Sequence, residues 1–313
     1  MKEKQADTII IKLSGNVIAD SSALGKLAEY IIRERNAGKR IVLTHGGGKQ
    51  ITGLSKRLKI PVQQVAGRRI TNDDTREVLL YTVGGKANRE LVAFLRKQGL
   101  SAVGISGVDG GLTTSHRRPP FDIDGEPVDF GLVGEIDAVD TTLPKALLDS
   151  GFIPVIGCLT WSRDEGVLNV NADTFAIRIS LAMQGDELIM LMDPPAVLDA
   201  AQKPIATMRR TDWQLGLREG WVRDGMKPKL LTAFEALEKG IPLVRMTNAD
   251  TLAAGGGTRL VADDREPGPS GTHPDHGPGF GPDDGSDPGD GSGPDSDNPE
   301  VPPPSRPSDE GIN

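Results

Sequence analysis

Short apolar runs rich in β-branched residues alternate with longer segments of mixed polar and apolar residues along most of the chain. The apolar runs predict strands near residues 8–12, 40–44, 101–105, 153–159 and 187–192. The longer segments predict helices near residues 22–37, 73–97, 141–150, 173–183 and 229–239. Strands that alternate with helices favour a mainly parallel sheet with helices on both faces. The predicted fold class is therefore α/β, a three-layer αβα sandwich around a central, mainly parallel sheet.

Two of the predicted strands end in turns that are suited to an anion. The first strand carries Lys12 and is followed by a turn at 14–15, and the second is followed by His45 and the glycines 46–48, before a helix that begins near Lys49. Ligands bind at the carboxyl edge of a parallel sheet, where glycines let backbone N–H groups approach a phosphate. A glycine-rich turn is also typical of a plain connection between a strand and a helix, so neither turn identifies a site by itself.

Two later segments extend this pattern, namely Asn-Val-Asn-Ala-Asp at 169–173 and Asp-Gly-Met-Lys-Pro-Lys at 224–229. A lone lysine is usually a solvated surface charge, and residues 171–173 are also a candidate N-cap of the following helix. In their joint order the four segments indicate phosphoryl transfer, which needs positive charge and N–H dipoles around the transferred group. The chain contains no P-loop, dinucleotide-binding or protein-kinase signature, so assignment to those classes of nucleotide-binding protein has no support.

From Thr8 to Val261 the chain resembles the amino-acid kinase superfamily, and within it the acetylglutamate kinases. The resemblance is carried by eight segments in the family's order. They are residues 12–15 (KLSG), 45–48 (HGGG), 67–71 (GRRIT), 102–110 (AVGISGVDG), 134–135 (GE), 169–173 (NVNAD), 225–229 (GMKPK) and 257–260 (GTRL).

The resemblance implies a kinase that transfers the γ-phosphoryl group of ATP to the side-chain carboxylate of N-acetyl-L-glutamate, in arginine biosynthesis. Such a carboxylate is already ionised at pH 7, so no protein base is needed to activate it. The chemical difficulty is to bring two anions together. The implied cofactor is ATP with Mg²⁺, the metal being held mainly through the phosphates, and no protein side chain is expected to bind a metal.

The family's functional positions can be carried over to this chain. The catalytic residues would be Lys12, Lys229 and Asp173, with the two lysines stabilising the transferred charge and Asp173 holding them by charge-assisted hydrogen bonds. The substrate-binding residues would be Gly47, Gly48, Arg69 and Asn169. The nucleotide-binding residues would be Gly15, Asp193 and Gly225. Arginine suits the α-carboxylate of the substrate because its planar fork binds a carboxylate bidentately.

Three features depart from the family's pattern. Arg68 replaces what is usually an apolar residue, and Pro194-Pro195-Ala196 replaces a glycine-containing loop after the strand at 187–192, with the loss of two N–H donors. An insert at 113–121 contains Arg117 and Arg118 and precedes an Asp-Gly pair at 124–125 that predicts a hairpin turn. A solvated hairpin is favoured there over a site for an acidic partner.

Two other functions are compatible with this sequence. One is the same chemistry on a different acidic amino acid, or on aminoadipate or glutamate bound to a carrier protein, since a sister branch of the family uses basic residues near this insert. The segment at 169–173 resembles the enzymes for free acetylglutamate instead. The other is a catalytically weak sensor of amino acid or nucleotide, against which the retention of Lys12, Asp173 and Lys229 argues.

Composition divides the chain into a kinase domain, 1–264, and a tail, 265–313, rich in Gly, Pro and Asp. By resemblance, residues up to about 180 hold the amino acid and the dimer contact, and about 181–264 hold ATP. The tail has too few apolar residues to form a core, which predicts disorder. It contains 11 acidic and 2 basic residues, so it accounts for the net charge of −8 and leaves the body near +1.

The remaining features indicate a cytoplasmic protein. Cys158 is the only cysteine, which excludes an intramolecular disulfide, and its apolar surroundings predict a core strand position. Neither a signal peptide nor an apolar run of transmembrane length is present, and no basic stripe with aromatic residues predicts nucleic-acid binding. Arginine-inhibited relatives carry an extra N-terminal helix that links dimers, whereas only seven residues precede the first strand here, so we expect a homodimer without arginine feedback.

Deletion of residues 265–313 is expected to leave kinase activity nearly unchanged, because the tail contains no residue with a predicted chemical role. Steady-state rates of the full chain and of a chain that ends at Asp264 would test this expectation. A large loss of activity on truncation would show that the tail contributes to catalysis or assembly.

Overall fold

The structure is a computed structural model that describes residues 7–65, 68–123, 125–222 and 226–262. Its strands are β1 (Thr8–Leu13), β2 (Arg40–His45), β3 (Gln64–Val65), β4 (Arg68–Arg69), β5 (Ala102–Ser106), β6 (Thr113–Arg117), β7 (Phe121–Ile123), β8 (Glu126–Val128), β9 (Gly134–Val139), β10 (Ile153–Gly157), β11 (Leu159–Ser162), β12 (Gly166–Asn169), β13 (Glu187–Leu191), β14 (Thr207–Met208), β15 (Val244–Thr247) and β16 (Thr258–Leu260). Its α-helices are α1 (Gly15–Ile18), α2 (Ser21–Asn36), α3 (Gly48–Leu58), α4 (Asp73–Leu79), α5 (Asn88–Lys97), α6 (Thr142–Asp149), α7 (Ala172–Ala182), α8 (Arg210–Arg218), α9 (Met226–Glu238) and α10 (Ala249–Ala253). A π-helical segment spans Leu80–Ala87 and a 3-10 turn spans Asp109–Gly111.

The central sheet orders its strands β14-β16-β15-β13-β1-β2-β10-β5, and all neighbours are parallel except β15 and β16. Strand β1 lies in the middle, between β13 and β2, and all six of its residues are buried. A continuous run of β-branched residues is what a strand covered on both faces requires. The predicted α/β class with a mainly parallel sheet is therefore confirmed.

Alternate residues of the central strands pack into two hydrophobic clusters, one on each face of the sheet. Ile9 and Ile11 pack with the apolar faces of α2 and α5, and Ile10 packs on the opposite side with residues of α7 and α9. Successive side chains of a strand point to opposite faces, so Lys12 follows Ile10 onto the side of α7. The three-layer arrangement thus directs Lys12 toward the N-terminal end of α7.

A second, four-stranded sheet, β12-β11-β6-β9, and two hairpins, β3–β4 and β7–β8, cover the carboxyl edge of the central sheet at β2 and β10. The hairpin predicted from the Asp-Gly pair is present as β7–β8, with Gly125 at a φ of +87°, while Asp124 lies outside the described residues. The second sheet was not predicted, because its strands are short and half-exposed and lack the long apolar runs of the central strands.

The predicted helix at 73–97 is continuous but not uniform. It consists of α4, the π-helical segment and α5, in that order. The π-helical segment contains Gly84, whose position is close-packed, because an added Cβ would lie 3.1 Å from Cδ1 of Leu159. Gly84 therefore permits close packing of this segment against Leu159 of β11.

Other boundaries differ from the predictions by small amounts. The run at 153–159 is split into β10 and β11 because the chain turns at Cys158. Helices α2, α6, α7 and α9 begin and end within three residues of the predicted bounds, which were 22–37, 141–150, 173–183 and 229–239. Helix α3 begins at Gly48, next to the predicted start. Strands β14 to β16 and helices α8 and α10 were missed. In the described part of the chain, no helix combines the length and apolarity needed to cross a membrane.

Candidate functional site

A cavity of about 280 Å³ opens at the carboxyl ends of β1 and β2, beneath the second sheet and the β3–β4 hairpin. Six of the predicted site residues line it. They are Lys12, Gly15, Gly47, Gly48, Arg69 and Asn169. Residues that are more than 150 positions apart in sequence therefore meet at this edge of the sheet, as the topology of parallel strands predicts.

Lys12 and Asp173 form a largely buried ion pair at the base of this cavity. Nζ of Lys12 lies 2.6 Å from Oδ1 of Asp173, and the two side chains are 11% and 21% exposed. Asp173 lies in the first turn of α7, where Asn171 is the N-cap and accepts hydrogen bonds from the backbone N–H groups of residues 173 and 174. Because Asn171 performs the capping, the carboxylate of Asp173 is free to hold the ammonium group of Lys12. The predicted contact between these two residues is present.

The glycine turn after β2 brings the start of α3 to the cavity. Gly47 is the N-cap of α3 and has no room for a side chain, since an added Cβ would lie 2.7 Å from Cγ2 of Val83, whereas the space beside Gly48 is open. The unpaired backbone N–H groups and the dipole at a helix N-terminus favour an anion. Gln50 links this turn to the first one, because its Nε2 donates to the carbonyl oxygen of Gly15 at 2.9 Å.

His45 fixes the glycine turn from inside the protein. The imidazole is fully buried, and its desolvation lowers the pKa of His45 from 6.5 to about 4, so the ring is neutral. Its Nδ1 lies 2.9 Å from the carbonyl oxygen of Gly46, and Nε2 lies 2.9 Å from Nδ2 of Asn88. Nδ1 therefore carries the proton and donates to Gly46, while Nε2 accepts from Asn88.

Arg69 has an unused donor in the cavity. Its Nη2 donates to Oγ1 of Thr52 at 2.9 Å and to the carbonyl oxygen of Gly48 at 3.3 Å. Its Nη1 is buried and has no hydrogen-bond partner among the described residues, and burial lowers the pKa of Arg69 from its usual value. A buried donor without a partner is costly, and a carboxylate in the cavity would satisfy it. Nδ2 of Asn169 donates to Oγ1 of Thr71 at 3.1 Å, and its amide oxygen accepts no side-chain hydrogen bond in the described part of the chain.

Arg68 and Arg118 also line the cavity, and sequence reasoning did not place them there. Both guanidinium groups stack on Phe121, with Cζ at 5.6 Å and 5.0 Å from the ring centroid. Arg117 does not line the cavity and is paired with Asp129 at 2.9 Å and with Glu165 at 3.7 Å. The two arginines of the insert therefore have different surroundings although they are adjacent in sequence.

The remaining predicted residues lie apart from this cavity or outside the described chain. Lys229 is half-buried on α9, and no ion pair between it and Asp173 is recorded in the described part of the chain. Gly225 lies outside the described residues, as does Gly67 of the GRRIT segment. Asp193 lines a separate cavity of about 230 Å³, where its Oδ2 accepts a hydrogen bond from Asn16 at 2.8 Å. Asn16 directly follows Gly15, so α1 joins the two cavities.

The loop after β13 is held against the neighbouring strands β15 and β16. The backbone N–H of Val197 donates to Oγ1 of Thr258 at 2.8 Å, and the carbonyl oxygen of Pro195 accepts from Thr247 at 3.2 Å. Ala196 and Val197 are buried. The two prolines thus belong to a loop whose hydrogen bonds go to β15 and β16, and its side chains serve the core.

The structural roles of several site residues were not found from sequence, although His45 belongs to the HGGG segment at 45–48. His45, Gln50 and Asn88 act through side-chain contacts between segments, for which a single sequence contains no periodic signal. Cys158 is buried, as predicted, but it lies at the junction of β10 and β11 and also lines the cavity. Burial raises the pKa of Cys158 to about 12, so it contributes a neutral, apolar surface.

The profile of the amino acid kinase family matches residues 7–245 of this chain. Acetylglutamate kinase of Methanopyrus kandleri is 36% identical over 80% of the chain and 98% of the relative. Acetylglutamate kinase of Sorangium cellulosum is 38% identical over 74% of the chain and 84% of the relative. The curated relatives thus match nearly the whole described body.

Solved structures share the fold. A protein of Streptococcus mutans superposes with a TM-score of 0.69 at 25% identity, covering 82% of this chain and 99% of that one. N-acetylglutamate synthase of Neisseria gonorrhoeae, complexed with coenzyme A and N-acetyl-glutamate, superposes with a TM-score of 0.68 at 21% identity, covering 83% of this chain and 60% of that one. Structural similarity at 21% identity, as for the synthase, is evidence for the fold alone.

Acid is expected to destabilise the protein through His45. The pKa of His45 is 6.5 in the unfolded chain and about 4 in the folded protein. At a pH between these values the unfolded chain binds a proton that the folded chain does not, so the free energy of unfolding decreases as the pH falls. Denaturant unfolding at pH 7 and pH 5 would measure this. We expect the wild type to lose about 2 kcal/mol more than His45→Gln between these pH values.

The matched control is His116→Gln, because His116 is exposed and paired with Asp137 at the surface. That variant is expected to keep the acid sensitivity of the wild type. Equal losses in the wild type and in His45→Gln would show that His45 is not held neutral by burial.

Proposed function

This chain belongs to the amino acid kinase family, and we propose that it transfers the γ-phosphoryl group of ATP to the side-chain carboxylate of N-acetyl-L-glutamate. The product is N-acetyl-L-glutamyl 5-phosphate, an acyl phosphate of arginine biosynthesis. The observation that carries the proposal is the pairing of Lys12 with Asp173 in a cavity that is also lined by Gly48 and Arg69. The name of the curated relatives supports the choice of substrate.

The cavity supplies what this reaction needs. The substrate carboxylate is ionised at pH 7 and attacks the γ-phosphorus directly, so catalysis depends on positioning and on compensation of negative charge. Lys12 would provide a fixed ammonium group, since the ion pair with Asp173 holds its side chain in one place. The backbone N–H groups at the start of α3, next to Gly47 and Gly48, would stabilise the oxygens of the transferred group.

The other end of the amino acid would be bound by Arg69 and Asn169. Nη1 of Arg69 is a buried donor without a partner in the described chain, and the α-carboxylate of the substrate supplies two acceptor oxygens. The amide of Asn169 would contact the same molecule. The apolar lining, which includes Leu79, Phe130 and Val133, suits the methyl group of the acetyl substituent.

ATP would bind through Gly15, Asp193 and Gly225, of which Gly15 lines the first cavity, Asp193 lines the neighbouring one and Gly225 lies outside the described residues. Mg²⁺ would be held mainly through the nucleotide phosphates and water. Lys229 would act from α9 on the phosphoryl group when the nucleotide is bound, and it would approach Asp173 in that state. The metal supplies charge compensation on the phosphates.

The organisation of the protein follows the same proposal. Residues up to about 180 would bind the amino acid and form the dimer contact, and about 181–264 would bind ATP. The enzyme would be a cytoplasmic homodimer that binds neither nucleic acid nor membranes. Six cavity residues with proposed roles between Lys12 and Asn169 support the assignment of the first part.

The reaction can be tested by ATP consumption with hydroxylamine trapping of the acyl phosphate. Trapped product is expected with N-acetyl-L-glutamate, and little or none with glutamate, aspartate or aminoadipate, because the free α-ammonium group would enter a cavity that already contains several cations. Absence of product from N-acetyl-L-glutamate, in protein that binds ATP, would refute the proposed substrate.

Replacement of the two basic residues is expected to separate catalysis from binding. Lys229→Ala should lower kcat by about tenfold to a hundredfold with a smaller effect on KM, because its contact is with the transferred charge. Arg69→Ala should act mainly by raising KM for the amino acid. Steady-state kinetics with both substrates varied would measure these effects.

Lys227→Ala is a matched control for Lys229→Ala, since Lys227 is an exposed lysine on the same helix turn. It is expected to retain the wild-type kcat. Small and equal effects from the Lys229 and Arg69 replacements would mean that the assigned site is wrong.

A further inference from the structure

Two arginines at the cavity, Arg68 and Arg118, form no ion pair within the described part of the chain. Arg68 comes from the β3–β4 hairpin and Arg118 from the segment between β6 and β7, and each guanidinium group contacts the exposed ring of Phe121. No carboxylate of the described chain lies within ion-pair distance of either guanidinium group, whereas the neighbouring Arg117 has Asp129 and Glu165. A pair of cations of this kind is unfavourable unless an anion joins it.

The electrostatic surroundings of Arg68 agree with this. Burial and the nearby charge of Arg118 lower the pKa of Arg68, and Glu235 on α9 offsets the effect only in part. The two guanidinium groups therefore repel each other in the ligand-free protein. Their Cζ atoms lie over the ring of Phe121, and their N–H groups form no ion pair in the described chain, so these donors remain available to a carboxylate.

The proposed substrate does not use these charges. N-acetylglutamate has two carboxylates, of which one would be at Lys12 and the glycine turn, and the other at Arg69. Lys12 is already neutralised by Asp173, and no acidic residue lines the cavity in the described chain. Arg68 and Arg118 are left over, so the cavity has positive charge for one further anionic group.

The geometry points to a third carboxylate subsite, formed by Arg68 and Arg118 on Phe121, that binds an anionic group carried by the acyl substituent of an N-acylglutamate. The enzyme would then accept acylglutamates whose acyl group ends in a carboxylate, in addition to N-acetylglutamate. This inference rests on the proposed function, because it extends the substrate class of the same cavity.

The test compares two ligands that differ in charge and hardly in shape. N-succinyl-L-glutamate has a terminal carboxylate on its acyl group, and N-succinamoyl-L-glutamate has a neutral amide in the same position. Calorimetric titration of the full chain is expected to give a Kd at least about tenfold lower for the succinyl compound, as for a hydrogen-bonded charge pair. The preference should weaken with added salt.

Arg68→Gln/Arg118→Gln is expected to abolish the preference for the succinyl compound. Arg117→Gln is the matched control and should retain it, because the partners of Arg117 are carboxylates of the chain itself. Circular dichroism and thermal unfolding would verify that the variants are folded. The comparison of the two ligands on the wild type needs no variant at all.

Equal affinity of the wild type for the two compounds would overturn the inference. Binding of free succinate beside N-acetylglutamate, without a gain for the succinyl compound, would also overturn it and would assign the arginines to a separate carboxylate. Binding is measured without turnover, so failure of the kinase reaction would refute the proposed function, whereas loss of the charge preference would refute the subsite alone.

Discussion

A lysine at the end of a fully buried central strand must be neutralised, and much of the site follows from that requirement. Strand β1 lies between β2 and β13 in the middle of the sheet, and Lys12 points to the face covered by α7. Asp173 meets it from the first turn of that helix. Removal of one partner of such a pair leaves an uncompensated buried charge, which is strongly destabilising. The same contact thus joins the N-terminal end of α7 to the strand end at which the cavity opens.

The neutral imidazole of His45 at the end of β2 holds the glycine turn by hydrogen bonds. In a glycine turn that presents its N–H groups to an anion, the carbonyl groups need other hydrogen-bond donors. Nδ1 of His45 donates to the carbonyl oxygen of Gly46. Asn88 holds the other ring nitrogen and also donates toward the carbonyl oxygens of residues 105 and 155. The turn is therefore tied to β5 and β10 through side chains, so that it is rigid before a ligand arrives. Such preorganisation is the main source of electrostatic catalysis.

The two hairpins above the cavity add charge without adding to the core. Arg69 on β4 contacts the start of α3, while Arg68, its neighbour in sequence, turns to Phe121 on β7. Alternation along a strand explains why adjacent arginines have different partners. The amino-acid end of the cavity is consequently more cationic than a dicarboxylate requires, and its specificity depends on segments that are short, exposed and outside the central sheet.

The sequence by itself determined the fold class, the central strands, most helix positions and the group of motifs at the sheet edge, because hydrophobic periodicity and glycine turns are local signals. It also indicated the contact of Lys12 with Asp173. It did not indicate the π-helical segment, strands β14 to β16 at one end of the central sheet or the second sheet, since their conformation depends on neighbours that are distant in the chain. The stacking of Arg68 and Arg118 on Phe121, the network of His45 and the distance of Lys229 from the cavity were likewise decided by tertiary structure. These are contacts between side chains of separate segments, and only packing determines which segments meet.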